Sequence, residues 1–167
     1  IYMTMIAKSN LAVVLVEQGE LHQAARIYTE TLQIARRPDG QELPIADRLF
    51  AGLGDIAYEW NHLEAADQHT QRSMELCRQW GNYNLLAKSY VRLAWLERAR
   101  SNTKKAQEAM RAAEALLNEQ RLSPRQLHLV KMGLAHWWIL QGSLERASLL
   151  VQGLELAVDD EIPYPRE

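Results

Sequence analysis

Four segments of this chain align with one another without a gap. They are "LAVVLVEQGELHQAARIYTETLQIA" from Leu11, "LGDIAYEWNHLEAADQHTQRSMELC" from Leu53, "LAWLERARSNTKKAQEAMRAAEALL" from Leu93 and "LAHWWILQGSLERASLLVQGLELAV" from Leu134. Their starts lie 42, 40 and 41 residues apart. A repeat of this length constrains folding more than any other feature, because each copy must form the same local structure and bury its apolar face against its neighbours. The first position is Leu in every copy, and the second is small: Ala12, Gly54, Ala94 and Ala135. Thirteen residues after the Leu stands Ala24, Ala66, Ala106 or Ala147.

The residues between these fixed points are helix formers. Ala, Leu, Glu, Gln and Arg dominate, Gly (8) and Pro (5) are scarce, and β-branched runs of period two are absent. An all-α fold follows. A small residue in one helix facing an Ala in the next lets two helices approach closely. A short turn separates them, opening on Gly19, Asn61, Ser101 or Gly142. Gly and Asn tolerate the left-handed conformation that ends a helix. The next residue is Glu20, His62, Asn102 or Ser143, and Asn and Ser at this place predict N-caps for the helix that follows. Each copy is therefore a helical hairpin. The predicted hairpins span 3–36, 45–80, 83–120 and 125–157, with helices of 3–18, 21–36, 45–60, 63–80, 83–100, 103–120, 125–141 and 144–157. "RRPDGQELP", Arg36 to Pro44, reads as a loop, and the tail 158–167 as the lead into a further repeat.

Stacked hairpins of constant period form a right-handed α-α solenoid. The Leu, small and Ala spacing resembles the tetratricopeptide pattern, although the period exceeds the usual length of about 34 and approaches that of HEAT arrays. A tetratricopeptide-like array with lengthened helices is the preferred reading, and a HEAT-like array the alternative. The chain begins with Ile1 inside a predicted helix, so a single repeat domain over 1–167, cut from a longer protein, is expected.

The second copy carries a more specific pattern. "YEWN-x-L-x-A-A" (Tyr58, Glu59, Trp60, Asn61, Leu63, Ala65, Ala66) is followed by "E-L-x-x-x-W-G" (Glu75, Leu76, Trp80, Gly81). This resembles the helical repeats of MalT-like, ATP-dependent LuxR-type transcription regulators. The likeness extends to "WILQGSLERA", Trp138 to Ala147, and to "IPYPRE" at the end. It implies a superhelical sensor region, with ATP bound by a separate preceding module and DNA by a following helix-turn-helix domain. In this stretch there is no G-x-x-x-x-G-K-[ST] phosphate loop and no basic recognition helix, so neither ATP nor another cofactor is expected here. The resemblance implies an inducer or a regulatory protein as partner. A free-standing scaffold that binds a peptide or protein in its groove is the alternative.

Composition narrows the rest. A net charge of −2 predicts no general attraction to nucleic acid or to an anionic membrane. No apolar run approaches the roughly 20 residues of a spanning helix. The single Cys77 fits a reducing, cytoplasmic setting. Apolar faces on Ile1–Ile6 and on the final helix leave self-association open. The polar cluster "YEWNHLEAADQH", Tyr58 to His69, looks at first like an acid–histidine site, but its place in the repeat makes it a hairpin corner. His128 and His136, two turns apart, are too distant to share a metal. No catalytic or metal-binding motif is present, and neither an enzyme nor a metal site is expected. Cys77 reads as a buried apolar residue, and at least one of Trp137 and Trp138 as core. Lys104, Lys105, Glu108 and Arg111 read as a solvated outer face.

In tetratricopeptide arrays the first helix of each hairpin lines the concave surface. Carried onto this chain, that surface takes Asn10, then Arg48, Asp55 and Tyr58, then Lys88, Arg92 and Trp95, and finally His136. The set mixes cations with aromatic rings, which suits a polar small molecule or a peptide.

Overall fold

The computed structural model describes residues 2–119 and 122–152. Eight helices follow one another: α1 (Tyr2–Glu17), α2 (Leu21–Ala35), α3 (Ala46–Glu59), α4 (Leu63–Trp80), α5 (Tyr83–Ala99), α6 (Thr103–Asn118), α7 (Pro124–Leu140) and α8 (Leu144–Gln152). There is no strand among the described residues; the loop after α2 holds one isolated bridge between Arg36 and Glu42. The predicted end of the fourth hairpin at 157 and the tail 158–167 lie outside the described residues. The chain divides into two compact units, Ile1–Leu122 and Ser123–Glu167. The first holds three hairpins and the second holds one.

The repeat pattern acts through close packing. All eight small residues that the alignment singles out are buried. In each hairpin the backbone N–H of the conserved-place Ala donates to the second turn residue: Ala24 to Glu20, Ala66 to His62, Ala106 to Asn102 and Ala147 to Ser143, at 2.9–3.2 Å. The turns themselves are alike. Gly19, Asn61, Ser101 and Gly142 all have positive φ, between 58° and 80°. Around them two backbone bonds recur, as in His62 N–H to Ala57 O (2.8 Å) and Asn61 N–H to Tyr58 O (2.9 Å). This nested pair satisfies carbonyls that a helix end would otherwise orphan.

The predicted N-caps are corrected by this geometry. Neither Glu20, His62 nor Asn102 makes a side-chain cap bond. Asn102 instead donates from its amide to Glu97 Oε2 at 2.8 Å. A side-chain cap does form at Asn82, whose Oδ1 accepts from Leu85 N–H at 3.3 Å.

Within the first unit, the backbone of α3 comes close to those of α1 and α5, whereas the backbones of α2 and α4, and of α4 and α6, stay further apart. The first helices of successive hairpins thus sit closer together than the second helices do. They line the shorter, inner side of the curve. Met5, Ala12, Ala24, Tyr28, Leu49 and Ile56 form the core between the first two hairpins, and Leu53 and Trp60 pack against it. Fully burying a side chain such as Leu49 or Ile56 contributes about 1.5–3 kcal/mol. Trp60, the aromatic of the "YEWN" corner, stacks on His22 of α2 with ring centroids 4.8 Å apart. Leu11 shares its repeat position with Leu53 but has no preceding hairpin to meet among the described residues, and it is half exposed.

Candidate binding site

On α5 the residues Lys88, Val91, Arg92 and Trp95 stand at i, i+3, i+4 and i+7, the spacing that brings side chains onto one helical face. Asp55 and Tyr58, three apart on α3, face them. Together these six line a cavity of about 260 Å³ on the inner side of the first unit. Five of them are sequence-predicted site residues: Asp55, Tyr58, Lys88, Arg92 and Trp95. Val91 was missed, although the i+3 place between Lys88 and Arg92 marks it as part of the same face.

Arg92 organises the cavity. Its Nε and Nη2 donate to the two carboxylate oxygens of Asp55, a fork-to-fork pair joining α5 to α3. The Arg92 side chain is only 10% exposed, and that of Asp55 37%. Burial pulls the Arg92 guanidinium down to about 10, with nearby Tyr28 acting in the opposite direction. It remains a cation at neutral pH. Its Nη1 is buried and has no hydrogen-bond acceptor. Lys88 is exposed as a whole residue, yet desolvation leads in lowering its ammonium pKa, Arg48 adds to this and Glu17 opposes it. It makes no ion pair among the described residues. Tyr58 is half-buried and packs against the cluster of Ala57, Ala66 and Leu96. Trp95 is half-buried, with the Arg98 guanidinium 5.5 Å from its ring.

The other three predicted residues do not reach this cavity. Asn10 is exposed on α1. Arg48 lines a neighbouring cavity of about 200 Å³ with Tyr2, Ile6, Trp80 and Asn82. His136 is exposed on α7, in the second unit. Of the "YEWN" residues, Tyr58 lines the cavity and Glu59 points to solvent.

A larger cavity of about 360 Å³ lies among α4, α5 and α6. Two of its carboxylates are taken up by residues outside the lining, which makes it the lesser candidate. Asp67 takes a 2.8 Å bond from Arg100, and buried Glu97 takes one from Asn102. Lys105 and Glu108 line it and, with Lys104 and Arg111, are exposed on α6. Asp47, also missed in the sequence, is a buried carboxylate at the head of α3. It accepts from the Asn82 amide at 2.7 Å, and its backbone carbonyl accepts from Ser73 Oγ at 2.8 Å. Cys77 is fully buried beside it, and burial, with the Asp47 charge adding, pushes the thiol up to about 12. Such a thiol is no nucleophile at neutral pH. Trp137 is core, and half-buried Trp138 lies under the Arg146 guanidinium. Among the described residues no group of three or more His, Cys, Asp or Glu could hold a metal ion. No described helix is long and apolar enough to cross a membrane.

Hairpins joined by left-handed turns, with first helices lining an inner face, define a tetratricopeptide-like α-α superhelix. A search of solved structures supports the class: a crystal structure of BtubC (BKLC) from P. vanneervenii superposes with a TM-score of 0.70 at 20% identity, over 98% of this chain and 67% of that one. More narrowly, the family described as the MalT-like TPR region matches residues 1–167. The chain belongs to that family, and the HEAT-like alternative falls away. No curated protein matches the chain.

Proposed function

We propose that this chain is a ligand- or partner-binding sensor module of a multidomain transcription regulator, non-catalytic in itself. In this reading it carries no cofactor and makes no contact with nucleic acid or membrane. It works in the cytoplasm, and ATP belongs to another domain of the parent chain. The observation that carries the binding role is the convergence of Asp55, Tyr58, Lys88, Arg92 and Trp95 on one cavity of the inner face. The MalT-like family supports the regulator context. A second reading, a scaffold for a peptide, is favoured by the inner face running unbroken over α1, α3 and α5, which offers an extended chain a path.

A thermal-shift screen of sugars, nucleotides and metabolite acids tests the cavity. A ligand at about 100 times its Kd stabilises the folded state by about 2.7 kcal/mol. The expected hit raises the melting temperature of the wild type and not of Trp95→Ala. Hits that persist undiminished in both Trp95→Ala and Tyr58→Ala would sink the assignment of the site. The regulator context has its own check in the parent reading frame, where a phosphate loop upstream and a helix-turn-helix downstream are expected. Absence of both leaves the scaffold reading.

A further inference from the structure

The cavity between α3 and α5 has an imbalance of charge and of hydrogen-bonding capacity. Three of its six lining residues are charged: Asp55, Lys88 and Arg92. Both oxygens of the one carboxylate are taken by the Arg92 fork. What remains on the two cations is donor capacity. The Arg92 Nη1 group is buried without an acceptor, on a side chain nine-tenths buried. Lys88 adds an ammonium with three N–H donors and no ion-pair partner among the described residues. Arg48 adds to the positive potential at Lys88, and Glu17 opposes it. A cationic guest would be repelled. A neutral one would leave the surplus charge uncompensated.

The rest of the wall is apolar and flat. Val91 and the rings of Tyr58 and Trp95 offer area for stacking. The volume of about 260 Å³ falls just below the range of about 300–1,000 Å³ typical of drug-sized ligands, so it suits one ring with a short arm. A phosphate brings close to two negative charges and a heavy hydration shell to a site with one surplus cation. A carboxylate brings one charge and a planar pair of acceptors. We infer that this cavity binds a carboxylate carried on a flat apolar body, with Lys88 as its principal counter-charge and Trp95 and Tyr58 as its walls.

The inference rests on the cavity assignment under the proposed function and narrows it to one ligand chemistry. The carboxylate can come from a free acid or from the end of a peptide, and the probes separate these sources. Phenylacetate is titrated against its neutral counterpart phenylacetamide, and acetyl-Ala-Ala-Phe with a free carboxyl end against its amide. Binding is read from the chemical shifts of the Trp95 indole and of the α5 amides. The expected result is that a carboxylate binds and its amide binds about tenfold or more weaker, a difference of about 1.4 kcal/mol or more. Lys88→Gln, a change at an exposed position, removes that preference. Preference for phenylacetate points to a free acid, and preference for the peptide acid to a chain end; either supports the inference. Equal binding of acids and amides, with Lys88→Gln silent, overturns it while the cavity stays a binding site. No shift from any probe up to about 10 mM, weaker than a binding energy of roughly 3 kcal/mol, also overturns it. In that case Trp95-dependent hits in the thermal screen show whether the broader binding role survives.

Discussion

At φ 63°, Ser101 holds a conformation that costs an L residue roughly 1–2 kcal/mol. Glycine escapes that cost but loses about 0.5–1 kcal/mol through its freer unfolded chain. Ser101→Gly should therefore stabilise the first unit by roughly 0.5–1 kcal/mol, or a few degrees in melting temperature. An unchanged or lower melting temperature would count against the shared turn geometry. Asp47 offers a pH test. Burial, the leading cause, raises its pKa, while the bonds from Asn82 and from the Arg48 backbone oppose the rise. Above the unfolded value of about 3.9, the folded chain keeps a proton that the unfolded chain has lost. Stability from this group is therefore lost as pH rises through the window between the two values, and the penalty is complete above the folded pKa. Asp47→Asn removes it. Urea melts at a series of pH values should show the variant's stability, relative to wild type, growing from acid pH to a plateau near neutral. A difference flat across that range would exclude this role for the carboxylate.

At the scale of helices, the hairpin depends on how near two backbones can come. The repeat position held by Ala12, Ala94 and Ala135 is Gly54 in the second hairpin. A Cβ there would stand 3.0 Å from Thr70 Oγ1, a buried hydroxyl with no hydrogen-bond partner. Gly54→Ala should destabilise the chain by about 1–2 kcal/mol through crowding. In a Thr70→Ala background the same change should become favourable by roughly 0.5–1 kcal/mol, since Ala suits a helix interior better than Gly. Additive effects in this double-mutant cycle would mean that the crowding lies elsewhere. Helix positions were legible at this scale because each depends on local rules: the described boundaries, the end of α8 aside, fall within two residues of those predicted. The missing caps were not legible. At Asn102 the side-chain amide is committed to Glu97, a contact that no local pattern records.

At the scale of the molecule, the Arg92–Asp55 pair ties the second hairpin to the third across the inner face. Removing the carboxylate leaves a buried cation without its partner. Asp55→Asn should cost about 1–3 kcal/mol, less than a fully buried pair because Asp55 still meets water. Urea denaturation should also show that Arg92→Met combined with Asp55→Asn costs less than the sum of the two. A cycle that closes with no coupling energy would remove the pair from the account of how the hairpins hold together. Five residues of the predicted inner surface meet in one cavity. Asn10, Arg48 and His136 obey the same helical geometry but lie on other parts of the array, because a rule that assigns a face says nothing of where along it a cavity opens.

The sequence alone determined the helical class, the hairpin period, the left-handed turn positions and the face of α5 that carries Lys88, Arg92 and Trp95. These follow from periodicity and from residues that tolerate one backbone conformation, both properties of neighbours in the chain. The tertiary structure decided which charges are paired and which are left over. Asp55 and Arg92 are 37 residues apart, Asp47 and Asn82 are 35 apart, and no local pattern records either meeting. Whether Lys88 is one more surface lysine or the unspent cation of a cavity depends on a partner that Arg92 took first, and only the packing of α3 against α5 shows it.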